Sequence, residues 1–290
     1  MNRRSSFVAT AIAMGALAWA SPAKALIPYI YLPSPEERRG SSIGIGRTAA
    51  QLLQLGQPRE AAQLAALAVR LQPDDERLWS VLAEAQLRSN QLDAATQSLA
   101  RAKELNPDKA GLWFAEAAIA LRSGRPDEAI NLLRRGLQLD PKNASAYFDL
   151  GNARILQKNL ASALDAFEQA TSLKPSFWEA LNNQALVLYE MGNRNEAIVR
   201  WRKVLTIDNN PEPMLALAAA LHRRGDAEQE ALKLAQQALA ANPNYVLPLH
   251  QVEQLWGPQI RNATADLLMR SELRDTVERA QANATWKKTN

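Results

Sequence analysis

Apolar and polar positions return along this chain with one long, regular period. The clearest sign is a set of prolines, each placed after an apolar–polar pair and each 34 residues from the last: Pro73, Pro107, Pro141 and Pro175. The same phase passes through Asn209 and reaches Pro243. A fixed period of this length indicates an internal structural repeat. It divides most of the chain into six units: 42–75, 76–109, 110–143, 144–177, 178–211 and 212–245.

Each unit has the residue pattern of two helices joined by a turn. The twentieth position of all six units is alanine, and the eighth is small in units two to six: Ala83, Ala117, Gly151, Ala185 and Ala219. Small residues let two antiparallel helices approach closely, while large residues at the fourth and twenty-fourth positions fill the space to the next unit. Turn residues separate the two helices: Gly56, Asn90, Gly124, Lys158–Asn159, Gly192 and Gly225. The pattern predicts an all-α array of helix pairs.

In period and in residue classes, residues 42–245 resemble the tetratricopeptide-repeat family. The resemblance implies a right-handed superhelical solenoid, in which the first helix of each unit lines a concave groove. Beyond the units, residues 245–256 and about 259–283 are expected to form capping helices, with Met269, Leu273, Val277 and Ala280 on the apolar side of the second. Residues 246–290 are therefore assigned to C-terminal capping helices and a tail.

The same resemblance implies which side chains face the groove, namely positions 2, 5, 9, 12 and 13 of each unit. The candidate partner-binding residues are Arg77, Ser80, Glu84, Phe114, Leu121, Arg122, Phe148, Asn152, Ile155, Asn182, Leu186 and Tyr189. Asn152 and Asn182 offer both donors and acceptors to a peptide backbone. An alternative stays open for Leu121, Ile155 and Leu156, which would instead be partly buried between helices.

The N-terminus has the layout of a targeting segment. Residues 1–25 combine Arg3 and Arg4, an apolar stretch from Phe7 to Ala20 and a small-x-small end at Ala23–Ala25. This is typical of a secretory signal peptide, and the alternative is an uncleaved membrane anchor. Residues 26–41, with Pro28, Pro33 and Pro35, are predicted to be an extended Pro-rich linker, or else a segment resting on a lipid interface or a partner. The expected location is exported or membrane-anchored: the periplasm, or the lumen or membrane of thylakoids.

Composition excludes several classes of site. The chain has 290 residues, no cysteine and two histidines, so thiolate metal sites, disulfides and cysteine nucleophiles are impossible. His222 and His250 fall in different predicted helices without a triad-like carboxylate, which favours structural roles. The Gly-rich stretch 40–46 lacks the Gly-Lys-Ser/Thr end of a phosphate loop, and is expected to be a flexible start to the first helix. We therefore predict no catalytic residue, no metal site and no cofactor.

Charge does not point to nucleic acid. The 34 basic and 30 acidic residues give a net charge of +4, and three of the basic residues lie in residues 1–25. The remaining basic residues are scattered among acidic ones without a single-sign stripe. We predict a non-enzymatic scaffold that binds a protein or peptide segment in its groove, at or across a membrane.

A second hypothesis places this chain at a photosynthetic membrane. The stretch Leu26–Glu37 and the overall layout are similar to cyanobacterial repeat proteins of thylakoids, including those that attend protochlorophyllide oxidoreductase. That resemblance implies an accessory or assembly role in chlorophyll synthesis or thylakoid biogenesis.

Overall fold

The computed structural model describes residues 33–285, and all regular secondary structure within that range is helical. Twelve helices form six successive antiparallel pairs, one pair for each repeat unit. The pairs are α1 (Pro35–Gln54) and α2 (Pro58–Leu71), α3 (Glu76–Arg88) and α4 (Leu92–Leu105), α5 (Ala110–Arg122) and α6 (Pro126–Leu139), α7 (Ala144–Leu156) and α8 (Leu160–Leu173), α9 (Trp178–Glu190) and α10 (Arg194–Ile207), and α11 (Pro211–Arg224) and α12 (Glu228–Ala241).

Shorter helices follow the last pair. A 3₁₀ helix, Pro243–Val246, leads into α13 (Pro248–Glu253) and α14 (Pro258–Leu268). A second 3₁₀ helix, Ser271–Leu273, then leads into α15 (Arg274–Asn283). The fold is an all-α superhelical solenoid with a C-terminal extension, as the repeat pattern predicts.

The turns inside the pairs explain the recurring glycine. The chain has a positive φ once in each of these turns, at Gly56, Asn90, Gly124, Lys158, Gly192 and Gly225. Glycine adopts this conformation without strain, and Asn tolerates it better than most residues. The turns therefore lie where the sequence predicts them.

Residues with small side chains, including those at the predicted eighth and twentieth positions, bring the helices of a pair together. A Cβ atom on Gly151 would lie 2.4 Å from the ring of Phe167, and one on Gly136 would lie 2.3 Å from the ring of Phe114. The alanines at the twentieth position are fully buried in all six units: Ala61, Ala95, Ala129, Ala163, Ala197 and Ala231. Close approach of each helix pair thus depends on residues that have almost no side chain.

The first helices of the units lie on the inner side of the array. Each of α1, α3 and α5 contacts the next first helix along the chain, whereas each second helix mainly contacts the first helices on either side of it. Elements on the inside of a curve lie closer together than those on the outside. The concave face is consequently built from first helices.

The predicted linker is wrong over its last seven residues. Helix α1 begins at Pro35, because Pro35 occupies its first turn and Ser34 and Glu37 form a reciprocal capping box. Residues 40–46 are accordingly helical, not a flexible start, and Gly46 is packed against Leu78. The predicted targeting segment, residues 1–25, and residues 26–32 of the linker lie outside the described residues.

The long capping helix predicted for residues 259–283 is also wrong. It is divided into α14 and α15 by a bend at residues 269–273, and Met269 is 76% exposed while Leu273 is fully buried. The two halves have different partners, since α14 packs on α11 and α9 while α15 packs on α12 and the first 3₁₀ helix. One straight helix cannot reach both sites.

Candidate functional site

The concave face is covered in units five and six. Every residue of α9 from Ala180 to Tyr189 is buried, and so is a long run of α11. In α3, by contrast, only Leu78, Leu82, Ala83 and Ala85 are buried, as expected of a helix with one face open. A helix that is buried on all sides needs neighbours on all sides. The additional neighbour is α14, which packs against α11 and α9.

Helix α14 is held by its first turn. The side-chain carboxylate of Glu190 accepts the backbone N–H groups of Gln259 at 3.1 Å and of Ile260 at 2.9 Å. The side chain of Gln259 donates in turn to the backbone carbonyl of Glu190 at 2.7 Å. A carboxylate satisfies the free N–H groups of a helix N-terminus and complements the helix dipole. One residue of α9 therefore fixes where α14 begins.

Further polar contacts fasten the extension to unit six. Arg223 of α11 pairs with Asp266 of α14. The indole N–H of Trp256 donates to a carboxylate oxygen of Glu212 at 3.0 Å. Apolar residues of α14 complete the attachment, because Ile260, Ala263 and Leu267 are buried in the same core cluster as α9 and α11. We call residues 254–268 the C-terminal plug.

The backbone is strained just before α14, where the plug meets the groove. Leu255 has φ of 61°, a conformation that costs a branched residue roughly 1–3 kcal/mol and persists only where surrounding contacts fix it. Leu255 lines a small cavity with Ile155, Leu186 and Val187. A Cβ atom on Gly257 would lie 2.3 Å from the carboxyl carbon of Glu190. The plug is therefore seated tightly on the first helices of units four and five.

Three of the residues predicted to face the groove are buried in this arrangement. Asn182, Leu186 and Tyr189 are buried, with exposures of 1 to 2%. Asn182 accepts the indole N–H of Trp201 at 3.0 Å, and the Tyr189 ring lies 5.9 Å from the Trp201 ring. Desolvation raises the pKa of the Tyr189 hydroxyl. These side chains stabilise the core, and in this structure they do not face an open groove.

The polar residues predicted in units two and three remain accessible. Arg77, Glu84 and Arg122 are exposed, and Ser80 is half-buried. Arg77 pairs with the buried Asp75 at 2.6 Å, a contact that lowers the pKa of the Asp75 carboxyl. Ser80 donates to the backbone carbonyl of Glu76. The charged side chains at this end of the concave face are therefore partly engaged within the protein.

The predicted apolar residues are half-buried: Phe114, Leu121, Phe148 and Ile155. The ring of Phe148 lies 5.8 Å from that of Phe167 and 5.2 Å from that of Phe177. Most of each apolar side chain therefore packs within the protein, and a smaller part stays accessible. Leu156 is more accessible, with 44% of its surface exposed.

The thirteenth position of the units carries a signal that sequence reasoning missed. In units two and three it is Arg88 and Arg122, which donate to the carbonyls of Leu53 at 3.3 Å and Leu87 at 2.6 Å, at the end of the preceding first helix. In unit five it is Glu190, which binds N–H groups of α14 instead. The thirteenth position therefore carries a hydrogen-bond donor in units two and three and an acceptor in unit five, where the plug attaches.

A cavity of about 330 Å³ lies where the open groove meets the plug. Its walls come from α7, α9, α11 and the residues that precede α14: Phe148, Asn152, Trp178, Glu179, Asn182, Asn183, Glu212, Glu253, Gln254 and Leu255. Asn183 donates to Asn152 at 2.9 Å, so the amides form a chain along one wall. Burial raises the pKa of Glu212, opposed by hydrogen bonds from Trp256, Asn182 and Tyr245.

Between residues 33 and 285, no group of three or more His, Asp or Glu side chains has an arrangement that could hold a metal ion. No helix in that range combines the length and the apolar character needed to cross a membrane. His222 pairs with Glu228 at 2.8 Å in a structural contact between α11 and α12.

Family models agree with this geometry. Residues 52–119 and 114–179 match two models of the tetratricopeptide repeat. The helix pairs within residues 52–179 therefore match the tetratricopeptide repeat. The same pairing and turn geometry continues through unit six, beyond the matched residues.

Several solved structures share the fold at low sequence identity. PilF of Pseudomonas aeruginosa is 19% identical, with a TM-score of 0.64 over 76% of this chain and 99% of its own. PilW, described as a widely conserved type IV pilus biogenesis factor, is 20% identical, with a TM-score of 0.63 over 73% of this chain and 98% of its own. YrrB, described as having an unusual peptide-binding site, is 19% identical, with a TM-score of 0.51 over 66% of this chain and 99% of its own. No curated protein sequence matches the chain.

Proposed function

We propose that this chain binds a segment of a partner protein in the open part of its concave groove, formed by units one to four. Tetratricopeptide arrays are protein-interaction scaffolds, and the architecture here is of that kind. One observation carries the proposal: α14 covers the first helices of units five and six, whereas those of the earlier units keep one face open.

The open face has a mixed chemistry that suits a protein segment. Exposed charges such as Arg77 and Glu84 lie in unit two, and half-buried apolar groups such as Phe114 and Leu121 lie in unit three. Partly buried apolar groups in a concave surface contribute binding energy when a partner covers them, and the polar groups orient it. The partner is therefore expected to bring apolar anchors with polar flanks.

The direct test is to introduce a charged side chain into the open groove and measure partner binding. Leu156 occupies the same repeat position as Glu190, which faces α14, so Leu156→Glu places a carboxylate on the concave side of unit four. A matched control is Leu67→Glu on α2, since Leu67 and Leu156 are 43% and 44% exposed. We expect affinity capture from membrane extracts to lose its partner with Leu156→Glu and keep it with Leu67→Glu. Equal capture by both variants would overturn the groove assignment.

We also propose that residues 1–25 direct the repeat domain to or across a membrane. The basic start, the apolar stretch and the small-x-small end support this address. Mass spectrometry of the protein isolated from its host tests cleavage, and protease protection of the repeat domain in intact cells tests topology. A chain that keeps residue 1 and fractionates entirely with soluble cytoplasmic proteins would contradict the proposal.

A narrower version of the function is an accessory role at a photosynthetic membrane, in chlorophyll synthesis or thylakoid biogenesis. Its support is the sequence resemblance over Leu26–Glu37, most of which precedes the described residues. Co-fractionation with thylakoids is the expected result, and its absence would remove this version without affecting the general scaffold function.

A further inference from the structure

The open groove has a defined end, and the chemistry there differs from that of the rest of the concave face. The C-terminal plug closes the groove at unit five, and the cavity of about 330 Å³ lies directly before it. A partner segment bound along units one to four would reach this cavity with one of its side chains. The inference below rests on that proposed mode of binding.

The polar part of the cavity is acidic and amide-rich. Glu179 and Glu212 come from the first turns of α9 and α11, and Glu253 comes from the end of α13. Asn152 and Asn183 also line the cavity, with Asn182 buried in its wall, and the lining contains no Lys or Arg from the described part of the chain. Carboxylates that converge on a partly desolvated space favour a positively charged group there.

The remaining walls suit a long side chain. The rings of Phe148 and Trp178 and the side chain of Leu255 line the cavity together with the acidic groups. Lys and Arg place a methylene stem on apolar surface and keep the charged end among polar groups, and aromatic faces attract the cation. The volume is many times that of a bare ion, so an extended group fills it better.

We propose that this cavity binds a Lys or Arg side chain of the partner segment and thereby sets the register of that segment against the plug. Glu179 and Glu253 form the accessible acidic side of the subsite, while Glu212 is held by Trp256 and closes its base. The remaining residues of the partner segment bind along the open groove.

The probe is a random dodecapeptide library selected on the immobilised full chain. We expect selected peptides to share one Lys or Arg at a fixed distance from their apolar residues. In a synthetic peptide from this set, replacing the basic residue by norleucine should weaken binding about tenfold, measured by fluorescence anisotropy. The double variant Glu179→Gln, Glu253→Gln should weaken the basic peptide by a similar factor and leave the norleucine peptide unchanged.

Controls separate this inference from the general function. Glu60→Gln with Glu104→Gln removes two exposed carboxylates from second helices, and it should leave both affinities unchanged. Suppose that peptide binding is lost with Leu156→Glu, but the selected peptides share no basic residue or bind the Glu179→Gln, Glu253→Gln variant equally well. The proposed subsite is then wrong, and the groove function stands. If no selected peptide is sensitive to Leu156→Glu, both proposals fail.

Discussion

At the scale of single residues, buried polar side chains organise the concave side of units four to six. Asn183 donates to Asn152, Asn182 donates to Asn183 at 3.3 Å, and Trp201 donates to Asn182. A buried polar group costs free energy unless it is hydrogen-bonded, and a connected chain of such groups fixes one arrangement of the helices. Asn152 and Asn182, the asparagines predicted to contact a peptide, therefore already make hydrogen bonds within the protein.

Asp149 of α7 provides a test of polar burial. Desolvation raises the pKa of its carboxyl from 3.8 to about 6, so the folded state resists ionising it. The protonated carboxyl contributes fully to the stability of the folded protein below about pH 4. This contribution is lost as the pH rises to about 6. We expect Asp149→Asn to stabilise the protein at pH 7.5 by about 2–3 kcal/mol, and to leave stability at pH 3.5 nearly unchanged.

The measurement is urea unfolding at the two pH values, with exposed Asp165→Asn on α8 as the control. The control should change the free energy of unfolding by less than about 0.5 kcal/mol at both. An Asp149→Asn variant no more stable than the wild type at pH 7.5 would show that water reaches this carboxyl in the folded state.

At the scale of secondary-structure elements, α14 is the feature that departs from the repeat. At the thirteenth position of units two and three, an arginine donates to a carbonyl at the end of the preceding unit's first helix. At the same position of unit five, Glu190 accepts from a backbone N–H in the first turn of α14. The side chain of Glu190 replaces the N-cap that α14 lacks locally, since its N-terminal flanking residue is Gly257. The docking of α14 therefore depends on a residue that lies 68 positions before the helix begins.

Removing that carboxylate should loosen α14 specifically. We expect Glu190→Ala to lower the free energy of unfolding by about 1–2 kcal/mol, because two backbone N–H groups lose their acceptor. Hydrogen exchange of residues 258–268 should accelerate while that of α3 to α6 stays unchanged. Glu84→Ala removes an exposed carboxylate from α3 and should have little effect on either. Uniform acceleration over the whole chain would contradict a local role.

The sequence predicts the helix pairs well, because a pattern repeated six times reports period, turns and packing positions together. It does not predict the position of α14, because that helix belongs to no repeat and its docking depends on Glu190, Arg223 and Trp256, which lie far apart in sequence. Groove positions inferred from the repeat are exposed or half-buried in units two to four. They fail in unit five, where a second layer buries Leu186 and Tyr189.

At the scale of the whole molecule, the solenoid has two parts that differ in whether their concave face is covered. In a repeat array each unit is stabilised by its neighbours, so an exposed end is a weak point. Here the C-terminal end is reinforced on both sides, by α15 against α12 and by α14 against α11 and α9. Reinforcement on the concave side has a consequence for function, because it limits the accessible groove to units one to four.

The most direct test of this division is cysteine labelling, which the cysteine-free chain permits without background. Ala118 and Ala220 occupy the same ninth position of units three and six, but Ala118 is half-buried while Ala220 is 2% exposed. The account predicts that Ala118→Cys reacts with a maleimide in native buffer at least about tenfold faster than Ala220→Cys, with equal rates in urea. Equal native rates would show that the groove is open along its whole length and would contradict the account.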